Sequence, residues 1–363
     1  MLHPKFTELI SQLPSSVPFT APETLERRTG VRVNVRLGAN ESAYGVSPKA
    51  AYAMREAVED VMWYGDPESY ELRQQLNRQL GFPMDSMLVA GGIDELLGLI
   101  VRVFLEPGQA VVASDGAYPT FLYHVDGFGG YKALVPYHNY RNDLEALAQA
   151  ARDLRAKMVY LANPDNPTGT HYSASDLHQF LHSLPSDCLF LLDEAYIEFA
   201  SEDIHLQSDY NDERLIRFRT FSKLYGMAGA RIGYVIAHPD VIQTMHKVRL
   251  HFGVNRMAQA GALAALTDNT FTSYVLQDTA RGKQEYYQLA EELGYTPIES
   301  STNFVAIDVG STERAQALVQ QLFEKGIFIR SPGTDPLSRC IRVTVGTSEQ
   351  RQVVGAALKS LSM

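Results

Sequence analysis

The chain has 363 residues, 45% of them hydrophobic and 20% charged, with a formal net charge of -10 at pH 7. That length exceeds what one core usually organises, and the composition is that of a globular protein rather than a disordered or fibrous one. The negative charge disfavours nucleic acid and anionic lipid, which demand a basic surface, and points to a small-molecule partner.

The N-terminal stretch has no apolar core of secretory type and is interrupted by Pro14 and Pro18, so no export signal is expected. From about residue 87 to 235, short apolar runs alternate with segments of helical period, which is the rhythm of βα units around a mostly parallel sheet. Strands are expected at 87–90, 110–113, 158–162, 189–192, 217–220 and 233–237, with a helix over 94–104 after Gly91-Gly92. The longest apolar stretch, 96–105, is too short for a membrane span and carries Arg102. Ser173 is a candidate N-cap for a helix to residue 181. After a helical stretch at 257–266, strands at 304–308, 326–330 and 340–345 with helices at 313–325 and 350–361 read as a compact α+β unit. The segment before Glu41 has few periodic positions and is expected to pack on that unit or on a partner subunit. Cys188 and Cys340 each lie in an apolar run, which argues against a disulfide and fits a reducing cytoplasm.

Several strand ends carry chemistry, and a crevice is expected where they converge. Leu192-Asp193-Glu194 puts a carboxylate at the end of a buried strand, where its charge is costly without a cationic partner. Thr220-Phe221-Ser222-Lys223 ends another strand with a lysine, and Arg231 follows; an imine-forming amine and an anion clamp need these residue types. Gly91-Gly92-Ile93-Asp94 leads into a helix whose first N–H groups suit an anion. Asn163 to Gly169 forms a stiff turn from which an Asn amide can donate, and Tyr196 can donate beside it. An electron-sink cofactor requires these four elements together: lysine, carboxylate, oxygen-directed donors and a phosphate cup.

Blander readings apply to other features. The run before Asp193-Glu194 also suits a magnesium-holding NTPase strand, but no G-x-x-x-x-G-K-[ST] loop occurs. Gly127-Phe128-Gly129-Gly130 reads as an ordinary loop, and His178 with His182 as a polar helix face, so no metal is expected. The default for Arg330 and Arg342 is pairing with acids such as Asp308 or Asp335.

Taken in order, Gly38-Ala39-Asn40-Glu41, Trp63-Tyr64, Gly92-Ile93-Asp94-Glu95, Asn163 to Gly169, Asp193-Glu194-Ala195-Tyr196, Ser222-Lys223 with Arg231, and Arg342-Val343-Thr344-Val345-Gly346 resemble the fold-type I pyridoxal 5′-phosphate (PLP) aminotransferases, and within them the histidinol-phosphate branch. The resemblance spans nearly the whole chain. It implies an aspartate-aminotransferase-like α/β fold: a three-layer α/β/α large domain with a mostly parallel sheet over 42–255, and a smaller α+β domain from 1–41 and 256–363. It implies that Lys223 is the Schiff-base lysine and proton shuttle, Asp193 the partner of the pyridinium nitrogen, and Asn166 and Tyr196 the donors to the ring oxygen. It further implies that Tyr118 stacks on the ring and that Gly92, Ile93, Asp94, Ser222 and Arg231 form the phosphate cup, with Tyr64 reaching in from the second subunit of a homodimer. The resemblance also implies that Arg330 and Arg342 bind the anionic end of the substrates, with Asn40 lining the same pocket. The implied reaction takes histidinol phosphate and 2-oxoglutarate to imidazole acetol phosphate and glutamate. One departure stands out: Pro18-Phe19 occupies the place of the family's Pro-Tyr, which keeps an aromatic amino acid open as donor. A PLP-dependent amino-acid-phosphate decarboxylase and a non-catalytic PLP-binding protein are the remaining alternatives.

Overall fold

A computed structural model describes residues 5–15, 19–206 and 211–362, so Pro18 lies outside the described residues. Two N-terminal helices, α1 (Glu8–Gln12) and α2 (Pro22–Thr29), lead to the short strand β1 (Val35–Arg36). Helices α3 (Pro48–Ala57) and α4 (Tyr70–Leu80) precede β2 (Met87–Ala90), α5 (Ile93–Phe104), β3 (Ala110–Ser114), α6 (Pro119–Gly127) and β4 (Tyr131–Val135). The alternation continues through α7 (Leu144–Leu154), β5 (Met158–Ala162), α8 (Ala174–Ser183), β6 (Leu189–Asp193), β7 (Leu215–Thr220) and β8 (Gly233–Ile236). After α9 (Pro239–His246), α10 (Arg256–Ala265) and α11 (Asn269–Glu292) come β9 (Thr296–Pro297), β10 (Phe304–Asp308), α12 (Thr312–Glu324), β11 (Ile327–Phe328), β12 (Cys340–Thr344) and α13 (Ser348–Ser362).

Seven strands form one sheet in the order β2-β8-β7-β6-β5-β3-β4, parallel except that β8 runs against both neighbours. Strands β2, β3, β5, β6, β7 and β8 are buried along their whole length, as a sheet covered on both faces requires. Alternate residues feed separate cores. Val111, Tyr160, Leu191 and Phe218 pack with α5 on one side, while Val112, Val159, Leu161 and Phe190 pack with α7 and α8 on the other. The expected layered α/β architecture with a mostly parallel sheet is therefore what the chain adopts.

The Ser173 cap is present as a reciprocal capping box with Asp176. The N-terminal segment packs within the chain, because β1 pairs in parallel with β11. Where a strand over 326–330 was expected, pairing covers only Ile327 and Phe328, and Arg330 continues as a single bridge to Arg342. A second small sheet, β12-β10-β9, is antiparallel and carries its own core with Tyr286, Leu318 and Val354. Helix α10 instead joins the core of α3 and β8 through Ala258, Ala262 and Ala265. Both cysteines are free and buried. Among the described residues no helix is long and apolar enough to cross a membrane.

Candidate active site

The ends of β2, β3, β5, β6 and β7 open onto one cavity of about 470 Å³. Of the cofactor- and substrate-site residues that the resemblance implies, all but Gly92 and Tyr64 line it.

Asp193 ends β6 in the cavity floor. Its Oδ2 accepts from the Tyr160 hydroxyl at 2.6 Å and its Oδ1 from the Ala195 N–H at 2.9 Å. Both donors are neutral, and among the described residues no cation lies within ion-pair distance, so burial pushes the carboxyl up to about 6. Glu194, one residue on, faces away and is satisfied: Arg217 donates to it at 2.9 Å and Arg219 at 2.8 Å. Those guanidinium groups hold its carboxyl below the usual range despite complete burial.

Lys223 follows β7 with its Nζ 3.5 Å from the Ala39 carbonyl oxygen and 5.4 Å from the centre of the Tyr196 ring. No carboxylate pairs with it among the described residues. The Tyr196 hydroxyl accepts from Asn40 Nδ2 at 3.0 Å, which leaves its own proton free for the cavity. Asn40 is buried, and its left-handed backbone (φ 55°) lets its N–H reach the Thr344 hydroxyl at 3.1 Å. Asn166 meets Arg342 at 2.5 Å; since a guanidinium only donates, the Asn166 oxygen faces Arg342 and its amide N–H₂ faces the cavity.

At the start of α5, Gly92 adopts φ 101° and ψ 173°, a region open essentially to glycine alone. A Cβ there would stand 2.7 Å from Arg231 Nη2, so the absent side chain also makes room for that guanidinium. The Arg231 guanidinium is 3.3 Å from Asp94 Oδ2, while Asp94 Oδ1 accepts from the Tyr118 hydroxyl at 2.7 Å. The free N–H groups of the first helical turn, the Ser222 hydroxyl and Arg231 thus surround one spot suited to an anion. Gly92→Ala is expected to cost about 1–3 kcal/mol in thermal unfolding and to weaken anion binding by displacing Arg231. Unchanged melting and unchanged phosphate-ester affinity would contradict this reading of the cup.

Among the described residues, no acid pairs with Arg330 or Arg342. Asp308 is taken by Arg339 at 2.8 Å and by Tyr140, and Asp335 by Ser338. Arg330 instead lies over the Phe19 ring at 4.5 Å, and Arg342 over Phe304 at 5.3 Å. Arg342 Nε is buried without a partner among the described residues, and burial pushes this guanidinium down to about 10. Two cations with no acidic counter-charge among the described residues therefore face the cavity.

A family profile for aminotransferase class I and II matches residues 32–358. The chain belongs to the class I and II aminotransferases. Among aminotransferase relatives, the histidinol-phosphate aminotransferase of Moorella thermoacetica is 33% identical over 362 residues, covering 99% of this chain and 93% of the relative. That of Symbiobacterium thermophilum is 35% identical, covering 95% of each. The solved histidinol-phosphate aminotransferase of Sinorhizobium meliloti, in complex with pyridoxal-5′-phosphate, superposes with a TM-score of 0.96 at 43% identity, covering 99% of this chain and 98% of that one. Thermus thermophilus aspartate aminotransferase with maleate, at 22% identity and a TM-score of 0.79, shares the aminotransferase fold and covers 93% and 94% of the two chains.

Tyr64 lies away from the cavity lining of its own chain. Tyr64 is 74% exposed and stacks on Phe252 at 4.4 Å. The one His/Asp/Glu group with metal-ligand spacing among the described residues is Glu213, His238 and Asp240, at the surface and without His178 or His182. Sequence reasoning missed Tyr160 and the Asp94 carboxylate bond to Tyr118. The signal for Tyr160 was available: a tyrosine inside a strand buried on both faces needs a partner for its hydroxyl.

Proposed function

We infer that this chain is a PLP-dependent histidinol-phosphate aminotransferase, passing the amino group of histidinol phosphate to 2-oxoglutarate in a ping-pong cycle. The observation that carries the reading is the joint placement on one cavity of Lys223, Asp193 and two arginines that have no acidic partner among the described residues. The residues fit the cofactor: a buried carboxylate that has only neutral donors suits a protonated ring nitrogen, and the Gly92–Arg231 cup suits its phosphate. When bound, PLP supplies an aldehyde carbon for imine formation and a ring that withdraws electrons from the substrate carbon.

The protein's own groups do the rest. Lys223 Nζ would hold the cofactor and, when free, would carry the proton from the amine-bearing carbon of the substrate to the cofactor's carbon. Asp193 holds a proton at the ring nitrogen. Asn166 Nδ2 and the Tyr196 hydroxyl donate to the ring oxygen, and the Tyr118 ring forms an aromatic wall. The N–H groups of Ile93 and Asp94, the Ser222 hydroxyl and Arg231 bind the phosphate. Arg330 and Arg342 receive the substrate anion in both half-reactions, phosphate in one and carboxylate in the other. Asn40 lines the pocket and fixes Tyr196.

The assembly we propose is a homodimer. Tyr64 contributes nothing to its own cavity, yet stands among exposed Val61, Met62 and Trp63, an apolar face of the kind a second copy covers. Tyr64 then completes the phosphate cup of the second copy. The two-domain division remains our reading, with 42–255 as the large part and 1–41 with 256–363 as the small one; the packing of α10 on α3 favours moving the boundary past residue 265. A cytoplasmic location is supported by the two free cysteines.

Phe19 favours a second donor class. Its ring lines the cavity against Arg330 and offers an apolar wall without a hydroxyl, which suits an aromatic amino acid. Single-turnover absorbance separates the readings: histidinol phosphate, aromatic amino acids and glutamate are added separately to the yellow protein. Loss of the visible band with histidinol phosphate, and its return with 2-oxoglutarate, is the expected result. A response only to aromatic amino acids and glutamate replaces the donor, carbon dioxide release without oxo-acid consumption indicates a decarboxylase, and silence toward all amines indicates a binding protein.

Arg330→Ala is expected to raise KM for histidinol phosphate by about 10- to 100-fold, the worth of a charge-assisted bond to phosphate, while PLP affinity stays unchanged. Equal KM in variant and parent would remove Arg330 from substrate recognition.

A further inference from the structure

Tyr160 belongs to none of the motifs that carry the family likeness, yet it makes the closest contact to the acid in the cavity floor. It lies on β5 beside β6, where Tyr160 registers with Leu191 and Ala162 with Asp193. Its side chain therefore shares a sheet face with Asp193, and its hydroxyl reaches Oδ2 at 2.6 Å. The phenol is 1% exposed, and its ring stacks on Phe121 with centroids 4.7 Å apart and planes 18° from parallel. Burial, with Asp193 beside it, holds the phenol well above its ordinary value, so it stays protonated and donates at any working pH.

We propose that Tyr160 is a positioning residue which, together with the Ala195 N–H, fixes the Asp193 carboxylate and sets how strongly that carboxylate competes for the proton of the cofactor's ring nitrogen. This rests on the reading of Asp193 given above. The choice of donor matters physically. A lysine or arginine at this distance would form an ion pair and satisfy the acid without the ring. A phenylalanine would leave Oδ2 buried with no donor, and the carboxylate would recover basicity and draw the shared proton toward itself. A phenol lies between these limits: it orients the group and moderates its basicity while adding no charge. Its ring is clamped by Phe121, so the bond costs little side-chain entropy to maintain.

The test is Tyr160→Phe in the holoenzyme, which keeps the stacked ring and removes one oxygen. The readout is the ¹⁵N resonance of ring-labelled PLP. The expected result is a shift of that resonance toward the unprotonated position, a kcat lower on the order of 10-fold, and a KM for the amino donor within about twofold, as loss of one bond to a charged group predicts. In the cofactor-free protein, the carboxyl ¹³C titration of Asp193 should move to higher pH. Site-specific 3-fluorotyrosine at position 160, a stronger donor, should move the ring-nitrogen resonance the opposite way, and it decides the question if the phenylalanine variant does not fold. A ring-nitrogen resonance indifferent to both changes overturns the role of Tyr160. A parent protein whose ring nitrogen is unprotonated overturns the reading of Asp193 itself, a different outcome visible before any variant is made.

Discussion

Lys223→Ala is expected to lower turnover with histidinol phosphate by roughly 10⁴-fold, the combined loss of a covalent attachment point and a positioned proton carrier, and to abolish the visible band of the lysine-linked cofactor. The surroundings predict that the fold survives. Lys223 Nζ makes one long bond, 3.5 Å to the Ala39 carbonyl, and no ion pair among the described residues, so truncation leaves no buried charge behind. PLP should still bind without its covalent link, because the Gly92–Arg231 cup and Asp193 do not depend on the lysine. Two measurements on one sample separate the roles: absorbance reads the lysine link, and equilibrium dialysis of PLP reads the cup. A small primary amine added to the variant should restore part of the turnover. A variant that keeps both its band and its rate would move the imine to another lysine and undo the assignment.

What the sequence discloses here follows from burial. Strands covered on both faces are mostly apolar, so β2, β5 and β6 read directly from Met87-Leu88-Val89-Ala90, Met158 to Ala162 and Leu189 to Leu192. Strand β4 escaped because it is an edge: Tyr131 and Leu134 are exposed, and Lys132 breaks the run. Asp193, Lys223 and Asn166 were legible because they sit at or shortly beyond the ends of buried strands, where a polar side chain interrupts an apolar pattern. Their supports were not, because they come from far along the chain. Arg342 orients Asn166 across 176 positions, and Asn40 holds Tyr196 across 156. Asp165 shows the same limit. It looks like a turn residue, but Tyr137, Asn142 and Thr168 all donate to it, and that buried hub keeps the Asn166 turn in place. Tyr160 was hidden in a different way, since within an apolar strand its ring reads as packing and its hydroxyl as incidental.

Asp193→Asn should separate stability from activity. In the cofactor-free protein burial raises this carboxyl from its usual 3.8 to about 6. A carboxyl whose folded pKa is raised binds its proton more tightly in the folded state. The stability this provides is fully present below the unfolded value of 3.8 and is lost as pH rises through about 6. Above that window the folded protein carries a buried anion with only two neutral donors, at a cost on the order of 3 kcal/mol given about 1.4 kcal/mol per tenfold change in proton affinity. The amide variant avoids the charge. Its cofactor-free form should melt higher than the parent at pH 8, and the advantage should shrink by pH 4, where the parent carboxyl is protonated. The holoenzyme should show the opposite effect. A neutral amide cannot stabilise a proton on the ring nitrogen, and kcat should fall by about 10²–10³-fold, as when a preorganised electrostatic partner is removed. Differential scanning fluorimetry of the cofactor-free proteins at the two pH values tests the first half, and steady-state rates test the second. If the amide variant is less stable than the parent at pH 8 while retaining its rate, Asp193 is an ordinary structural acid and the cofactor's charge partner lies elsewhere. If it gains stability and loses rate, the buried anion is a cost that folding tolerates because the bound ring nitrogen offsets it.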